Sequence, residues 1–444
     1  MGKHTAELSL SPAPSRSLFL FDTLDKNDCR AILSFVDDTS ADPALTSRAY
    51  FEGRILPFVD KPLVKVVTGI RRAGKSSVLR LVANSILAGG VKPQRILFIN
   101  MESMVNDAFR DPAELHRFVR ARKEKANDRL FLFIDEIQEI PGWERAVNSF
   151  LADGDADIFI SGSNSKLLSG ELASLLSGRY VEFPVFTLSF AEYRDFRKSD
   201  ADAPTLFSEY LRFGGFPGIH RMELEEDTIQ QYLSALVDSV LLKDVVMRYG
   251  VRDVALLRAL LLFLADNSGN VFSARSVATF LKKERRSLGV ETIYNYLEYL
   301  ESAFVVHRVP RWDIKGKRLL ETHEKYYLAD IGLRHAFLGY RDRDIGGYLE
   351  NIVFLELRKR NFEVRIGKLG DYEVDFVASR GAERLYIQVA YLLGDEATRE
   401  REFRPLRAVR DNHPKYVLSL DRLPPGNEDG IQRLYLPDFL DADW

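Results

Sequence analysis

The sequence predicts an α/β protein built around a parallel sheet of P-loop type, with helices on both faces. Three observations carry that prediction. A short apolar run, Leu63, Val64, Val66 and Val67, leads into a glycine-flanked loop and then a helical pattern. A second apolar run, Leu130 to Ile134, ends in two carboxylates, Asp135 and Glu136. Around them strand and helix patterns alternate, the mark of parallel strands joined by helical crossovers.

The loop reads Gly69-Ile70-Arg71-Arg72-Ala73-Gly74-Lys75-Ser76 and fits G-x-x-x-x-G-K-[ST] at every fixed position. Its glycines let the backbone curl so that successive N–H groups face phosphate oxygens, and the following helix adds the positive end of its dipole. The loop from Gly69 to Ser77 is therefore expected to bind ATP. Lys75 would reach the β and γ phosphates, and the Ser76 hydroxyl would ligate Mg²⁺. At the end of the second run, Asp135 is expected to hold Mg²⁺, usually through water, and Glu136 to orient and deprotonate the attacking water. The bland alternative for these acids is a solvated strand end with two caps for the next helix.

The chain has 444 residues, a net charge of -3 and 46% hydrophobic residues, enough for several domains each with its own core. So even a balance argues against coating nucleic acid along the whole length, while local basic patches stay open. Cys29 is the single cysteine, which excludes an intrachain disulfide or a thiolate metal site. No apolar run is long enough to span a bilayer, so the expectation is a soluble, cytoplasmic protein.

Taken in order, residues 1–47 open as a Ser/Pro-rich tail that is expected to be partly disordered. RAYFEGRILPFVD, from Arg48, reads as a helix leading into the first strand. Arg95 to Asn100 forms a second strand, and Pro112 to Lys125 a helix opened by Asp111 and closed by basic residues. Gly142 to Leu151 makes another helix. Asp157 to Asn164 is a strand running into a polar turn. Ligands of such sheets sit beyond the C-terminal strand ends, where Asn100, Asp135, Glu136, Ser163 and Asn164 fall. Arg179 follows LASLLSG and admits two readings, an arginine finger completing a neighbour's site or a basic residue favouring a helix C-terminus.

After Phe190 the alternation stops. Phe190 to about Met247 reads as helical, broken by Gly214-Gly215-Phe216-Pro217-Gly218. Helices over Asp253–Asn267, 274–283 (capped by Ser273) and Val290–Ser302 precede a strand at Phe304–Arg311, the order of a winged helix. Glu291, Glu298 and Glu301 on the third helix would repel phosphates, so Lys282, Lys283, Arg285 and Arg286 are the better DNA candidates, against a solvated charge run as the usual explanation. Tyr348 to Arg360 reads as an amphipathic helix, and Glu363–Gly367, Tyr372–Ala378 and Leu385–Tyr391 as strands.

GIRRAGKS, LFLFIDEIQ, ISGSNS with LLSGR, and GGFP, in this order and spacing, resemble the bacterial and archaeal ATP-binding proteins that join an AAA+-like ATPase domain to a C-terminal domain of unknown function. The resemblance implies an AAA+-like core over 48–190, a helical and winged-helix region over 191–330, and a restriction-endonuclease-like domain over 331–444. It also implies that Ser163 or Asn164 acts as a first sensor, that Arg179 is a finger in a homo-oligomer, and that Asn100 holds Glu136 off its water. In the last domain Glu350 and Asp375 fit the first two nuclease positions, but the third reads Gln388-Val389-Ala390 in place of Glu-x-Lys. Without those groups metal-dependent cleavage lacks parts, which points to a degenerate nuclease fold kept for binding.

Overall fold

The computed structural model describes residues 45–164, 176, 178–283, 290–422 and 424–442. The expected tail lies almost wholly outside them, as do most of the segment before Arg179 and both Arg285 and Arg286; the side chains of Lys282 and Lys283 are not described either.

Helix α1 (Ala49–Ile55) leads through a single 3₁₀ turn into β1 (Val64–Thr68), which is buried along its whole length. Then come α2 (Lys75–Ala88), β2 (Ile96–Asn100), α3 (Pro112–Ala126), β3 (Leu130–Asp135), α4 (Trp143–Ala152), β4 (Ala156–Gly162) and β5 (Tyr180–Pro184). The strands form one parallel sheet in the order β2-β3-β4-β1-β5. Every residue of β3 and β4 is buried, which explains why both read as continuous apolar runs: helices cover both faces. Because β4 separates β1 from β3, its C-terminal end lies between the P-loop and the two acids.

Beyond the sheet, α5 (Phe190–Arg197), α6 (Ala203–Phe213) and α7 (Glu226–Val240) follow, and α7 runs directly into a π-helix, Leu241–Met247. Next are α8 (Val254–Asp266), α9 (Ala274–Lys283) and α10 (Val290–Ser302), then the antiparallel hairpin β6 (Val306–Asp313) and β7 (Arg318–Leu328). This is the expected helix–helix–helix–hairpin order, and the sheet that the hairpin begins continues past residue 330. After α11 (Ile331–Leu338) and α12 (Ile345–Lys359), the strand β8 (Glu363–Leu369) pairs in parallel with β6, Arg311 opposite Ile366. With β9 (Tyr372–Arg380), β10 (Glu383–Val389), β11 (Lys415–Ser419), β12 (Gly426–Glu428) and β13 (Ile431–Tyr435) they make an eight-stranded mixed sheet, order β12-β13-β11-β10-β9-β8-β6-β7. Helices α13 (Glu396–Ala408) and α14 (Leu436–Asp441) complete the C-terminal part.

Helix α12 departs from its expected amphipathic character. It is buried nearly all round, including Asn351, Glu356 and Lys359, as a helix packed on several sides must be. Its polar side chains are correspondingly paired: Asn351 bonds both the N–H and the carbonyl of Leu328, and Glu356 accepts from Arg360.

Candidate nucleotide site

The P-loop leaves β1 at Thr68 and closes on α2 at Lys75. Gly69 takes φ +140°, and a Cβ there would stand 2.1 Å from the carbonyl oxygen of Val185, so only glycine fits. Gly74, at φ +98°, turns the chain into α2. A cleft of about 690 Å³ opens over this loop. Its floor is Arg71, Arg72, Gly74, Lys75, Ser76 and Ser77. The opposite wall comes from the helical region: Phe196, Lys198, Pro217, His220, Arg221 and Tyr232 among others.

Lys75 is 4% exposed, its ammonium 3.3 Å from the carbonyl oxygen of Ile70 and 3.8 Å from Glu136. Asp135 is buried at the end of β3, where the hydroxyls of Ser161 and Ser76 both donate to it. Burial, and then the neighbouring Glu136, push its carboxyl up; the two serines oppose them. Glu136 follows in a left-handed backbone conformation (φ 57°), with its N–H bonded to Ser161 Oγ at 3.1 Å. Burial alone would raise the Glu136 carboxyl. Lys75, the Gln138 amide, Arg71 and Arg248 outweigh it and hold the group below the usual carboxylate range. It is a carboxylate at neutral pH.

The structure thus brings Lys75, Ser76, Asp135 and Glu136 to one place. Ser163 also belongs there, its hydroxyl oxygen 3.5 Å from Glu136 and 3.1 Å from Asp244. Asn164 stands one residue further along the same sheet edge, half-buried. The amide bonded to the Glu136 carboxylate is that of Gln138; Asn100 instead accepts from the backbone N–H of Glu102 at 2.9 Å. Arg179 lies elsewhere. Its carbonyl accepts from Val64 at the N-terminal end of β1, five residues and roughly 15 Å from the loop, and its guanidinium donates to Asn148. It takes no part in its own chain's cleft.

Two contributors escaped the sequence. Asp244, in the middle of the π-helix and 1% exposed, accepts from Arg71 Nε at 2.9 Å, while Arg71 also reaches Glu102 at 2.6 Å. His220 lines the cleft beside Phe196, and burial lowers its imidazole to about 4; neither ring nitrogen has a hydrogen-bond partner. Nothing in the linear pattern marks either. A π-helix and a cleft wall are made by tertiary packing.

Where α12 packs on the C-terminal sheet, Glu350 of the helix and Asp375 of β9 are near enough for their charges to interact, and a lysine joins them from an unexpected strand. Lys325 of β7 lies 2.9 Å from Glu350 and 3.0 Å from Glu373, and the Tyr327 hydroxyl donates to Glu350 at 2.7 Å. Gln388 accepts from the Asp375 N–H and donates to Glu402. Among the described residues no group of three or more His, Cys, Asp or Glu side chains is placed to hold a metal ion, and no helix is long and apolar enough to cross a membrane.

A family model described as an AAA domain matches residues 61–194, and one described as a domain of unknown function, DUF8612, matches residues 204–344. An uncharacterized protein of Haemophilus influenzae is 36% identical over 400 residues, covering 89% of this chain and 99% of that one. An uncharacterized protein of Methanocaldococcus jannaschii is 31% identical over 396 residues, covering 84% and 85%. Among solved structures, the Walker-type ATPase PABY2304 of Pyrococcus abyssi matches at 16% identity and a TM-score of 0.48 over 66% of this chain and 97% of that one. The chain belongs to the family of bacterial and archaeal proteins in which an AAA domain of P-loop type is joined to a C-terminal domain of unknown function.

Proposed function

We propose that the chain binds ATP with Mg²⁺ on the loop Gly69–Ser77 and hydrolyses it, coupling turnover to the position of its helical and C-terminal parts. The convergence of two buried acids on the cleft floor carries this reading: Lys75 and Ser76 line the cleft, Glu136 lies 3.8 Å from Lys75, and Asp135 accepts from Ser76. The donor set suits Mg²⁺: a hydroxyl and one buried carboxylate already hydrogen-bonded to each other, the sparse protein ligation that leaves room for phosphate oxygens and water. When bound, the ion would neutralise phosphate charge and draw the γ-phosphate to the strand end. Lys75 would pair with the β and γ oxygens. Glu136 would take the proton of a water held at that strand end, once Gln138 releases it.

Calorimetry with Mg-ATP and a steady-state phosphate-release assay test this. Lys75→Ala should abolish binding, and Glu136→Gln should bind normally but turn over at least 100-fold more slowly, the usual scale for a lost general base. Wild-type turnover in Glu136→Gln would remove the base assignment. Titrating the assay with single- and double-stranded DNA separates a motor from a switch, and light scattering with a non-hydrolysable analogue tests whether Arg179 completes a second copy's site.

The C-terminal cluster is assigned to binding rather than phosphodiester cleavage. Lys325 lies against two of its carboxylates, and Gln388 engages Asp375 and Glu402 where an acid would be needed. Plasmid nicking in Mg²⁺ or Mn²⁺ would overturn that assignment.

A further inference from the structure

We propose that Asp244 makes the cleft discriminate ATP from ADP: it holds Arg71 and Ser163 until a γ-phosphate displaces it, and Arg248 receives it when it leaves. The proposal rests on the ATPase reading above and adds a device by which the γ-phosphate is sensed.

The positions argue for it. A γ-phosphate on this loop would lie against Lys75, whose ammonium stands 3.8 Å from Glu136. Arg71, in the same loop, and Ser163, 3.5 Å from Glu136, flank that place and are natural partners for an added anion. Both are occupied by the same carboxylate: Asp244 lies 2.9 and 3.4 Å from two Arg71 nitrogens and 3.1 Å from the Ser163 hydroxyl. An arriving phosphate would find its partners taken and a buried negative charge facing it. An ADP, ending one phosphate short, would not meet that carboxylate.

Displacement needs a second resting place, because a buried carboxylate left without a cation is costly. Arg248 supplies one. It lies 3.6 Å from Asp244, four residues on, so the pair moves together, and its second guanidinium nitrogen is buried with no hydrogen-bond partner. The element carrying Asp244 suits a switch as well. A π-helix is a less regular winding than the α-helix it extends and recurs at functional sites. It continues α7, whose Tyr232 lines the cleft and whose Gln230 bonds the last carbonyls of α11. The element that carries Asp244 is thus continuous with a helix touching both the cleft and α11.

A ligand shifts such an equilibrium only by its differential affinity for the two states, so the test is the ratio of ATP to ADP affinity. With the full-length protein, Mg-ADP and a non-hydrolysable Mg-ATP analogue are titrated by calorimetry against wild type, Asp244→Asn and Arg248→Met. Asp244→Asn should bind the ATP analogue about tenfold more tightly, the scale of one charge-assisted contact no longer broken, with ADP unchanged. Arg248→Met should do the reverse, weakening the ATP analogue and sparing ADP. Hydrogen exchange of segment 241–248 in wild type covers the case where a variant fails to fold, and should rise with the ATP analogue but not with ADP. Equal changes for both nucleotides, or no rise in exchange, would overturn the proposal. Failure of wild type to bind either nucleotide would instead overturn the ATPase reading.

Discussion

Gly69 shows how little slack a phosphate loop has. Its φ of +140° is strained for any other residue, and the Val185 carbonyl closes the space from the far side, itself fixed because the Val185 N–H donates to Thr68 at 2.7 Å. Gly69→Ala should cost roughly 2–5 kcal/mol through strain and overpacking together, read as a lowered melting temperature with nucleotide binding lost. A variant melting like wild type would mean the loop is looser than its contacts indicate. At this scale the sequence was most informative where chemistry fixes spacing. Lys75 follows Gly74, and Glu136 follows Asp135, so each pair is a short motif that a linear reading finds. Asp244 and His220 were invisible for the opposite reason: each reaches the cleft from a separate element, and a lone acid or imidazole in a helical stretch carries no pattern.

At the scale of an element, α11 explains the GGFP punctuation and predicts a pH response. Asp330 caps α11 by accepting from the Gly332 N–H at 2.7 Å and accepts from Gly215 at 2.9 Å; a Cβ at Gly214 would stand 2.2 Å from its carboxylate. The glycines were legible as a break between helices, but their reason is this distant carboxylate. Further along α11, His335 is 2% exposed and donates to the Leu211 carbonyl at 2.8 Å. Burial, with Arg334 adding to it, lowers the imidazole to about 4 although its bonds to Leu211 and Gly339 oppose them. The folded state therefore keeps His335 neutral while the unfolded chain takes up a proton below about pH 6.5. Its contribution is fully present above pH 6.5 and is lost as pH falls towards 4, at about 1.4 kcal/mol per unit. His335→Gln should be less stable than wild type at pH 7.5 through its weakened contacts, and the gap should shrink by about 2 kcal/mol by pH 5. Denaturant melts at the two pH values decide it; a gap that stays constant would show the imidazole titrating normally in the fold.

Across the whole molecule, the parts are joined by a buried chain of charge that no window of sequence contains. Arg48, ahead of α1, donates to the Ala73 carbonyl inside the P-loop at 2.9 Å and to Glu192 at 2.9 and 3.1 Å. Glu192 also faces Lys359 at 3.4 Å, near the end of α12, and Lys359 donates to Ser189 at 2.6 Å. Burial would raise the Glu192 carboxyl, but Arg48 and Lys359 bring it down to about 2. Positions 48, 192 and 359 come from three separate stretches, and the β6 and β8 strands that tie the hairpin into the C-terminal sheet come from two. Strand–helix alternation made the five-stranded sheet readable, whereas the eight-stranded sheet joins strands from either side of α11 and α12 with no such rhythm and was legible only in fragments. The chain of charge makes a prediction that separates mere adhesion from coupling. Glu192→Gln leaves Arg48 and Lys359 facing each other without a carboxylate and should cost about 3–5 kcal/mol of stability. Lys359→Met removes the far end alone, on a helix outside the cleft. If α12 bears on the loop through Glu192 and Arg48, Lys359→Met should weaken nucleotide binding several-fold at a temperature where it remains folded. A lower melting temperature with wild-type nucleotide affinity would reduce the chain of charge to a structural joint.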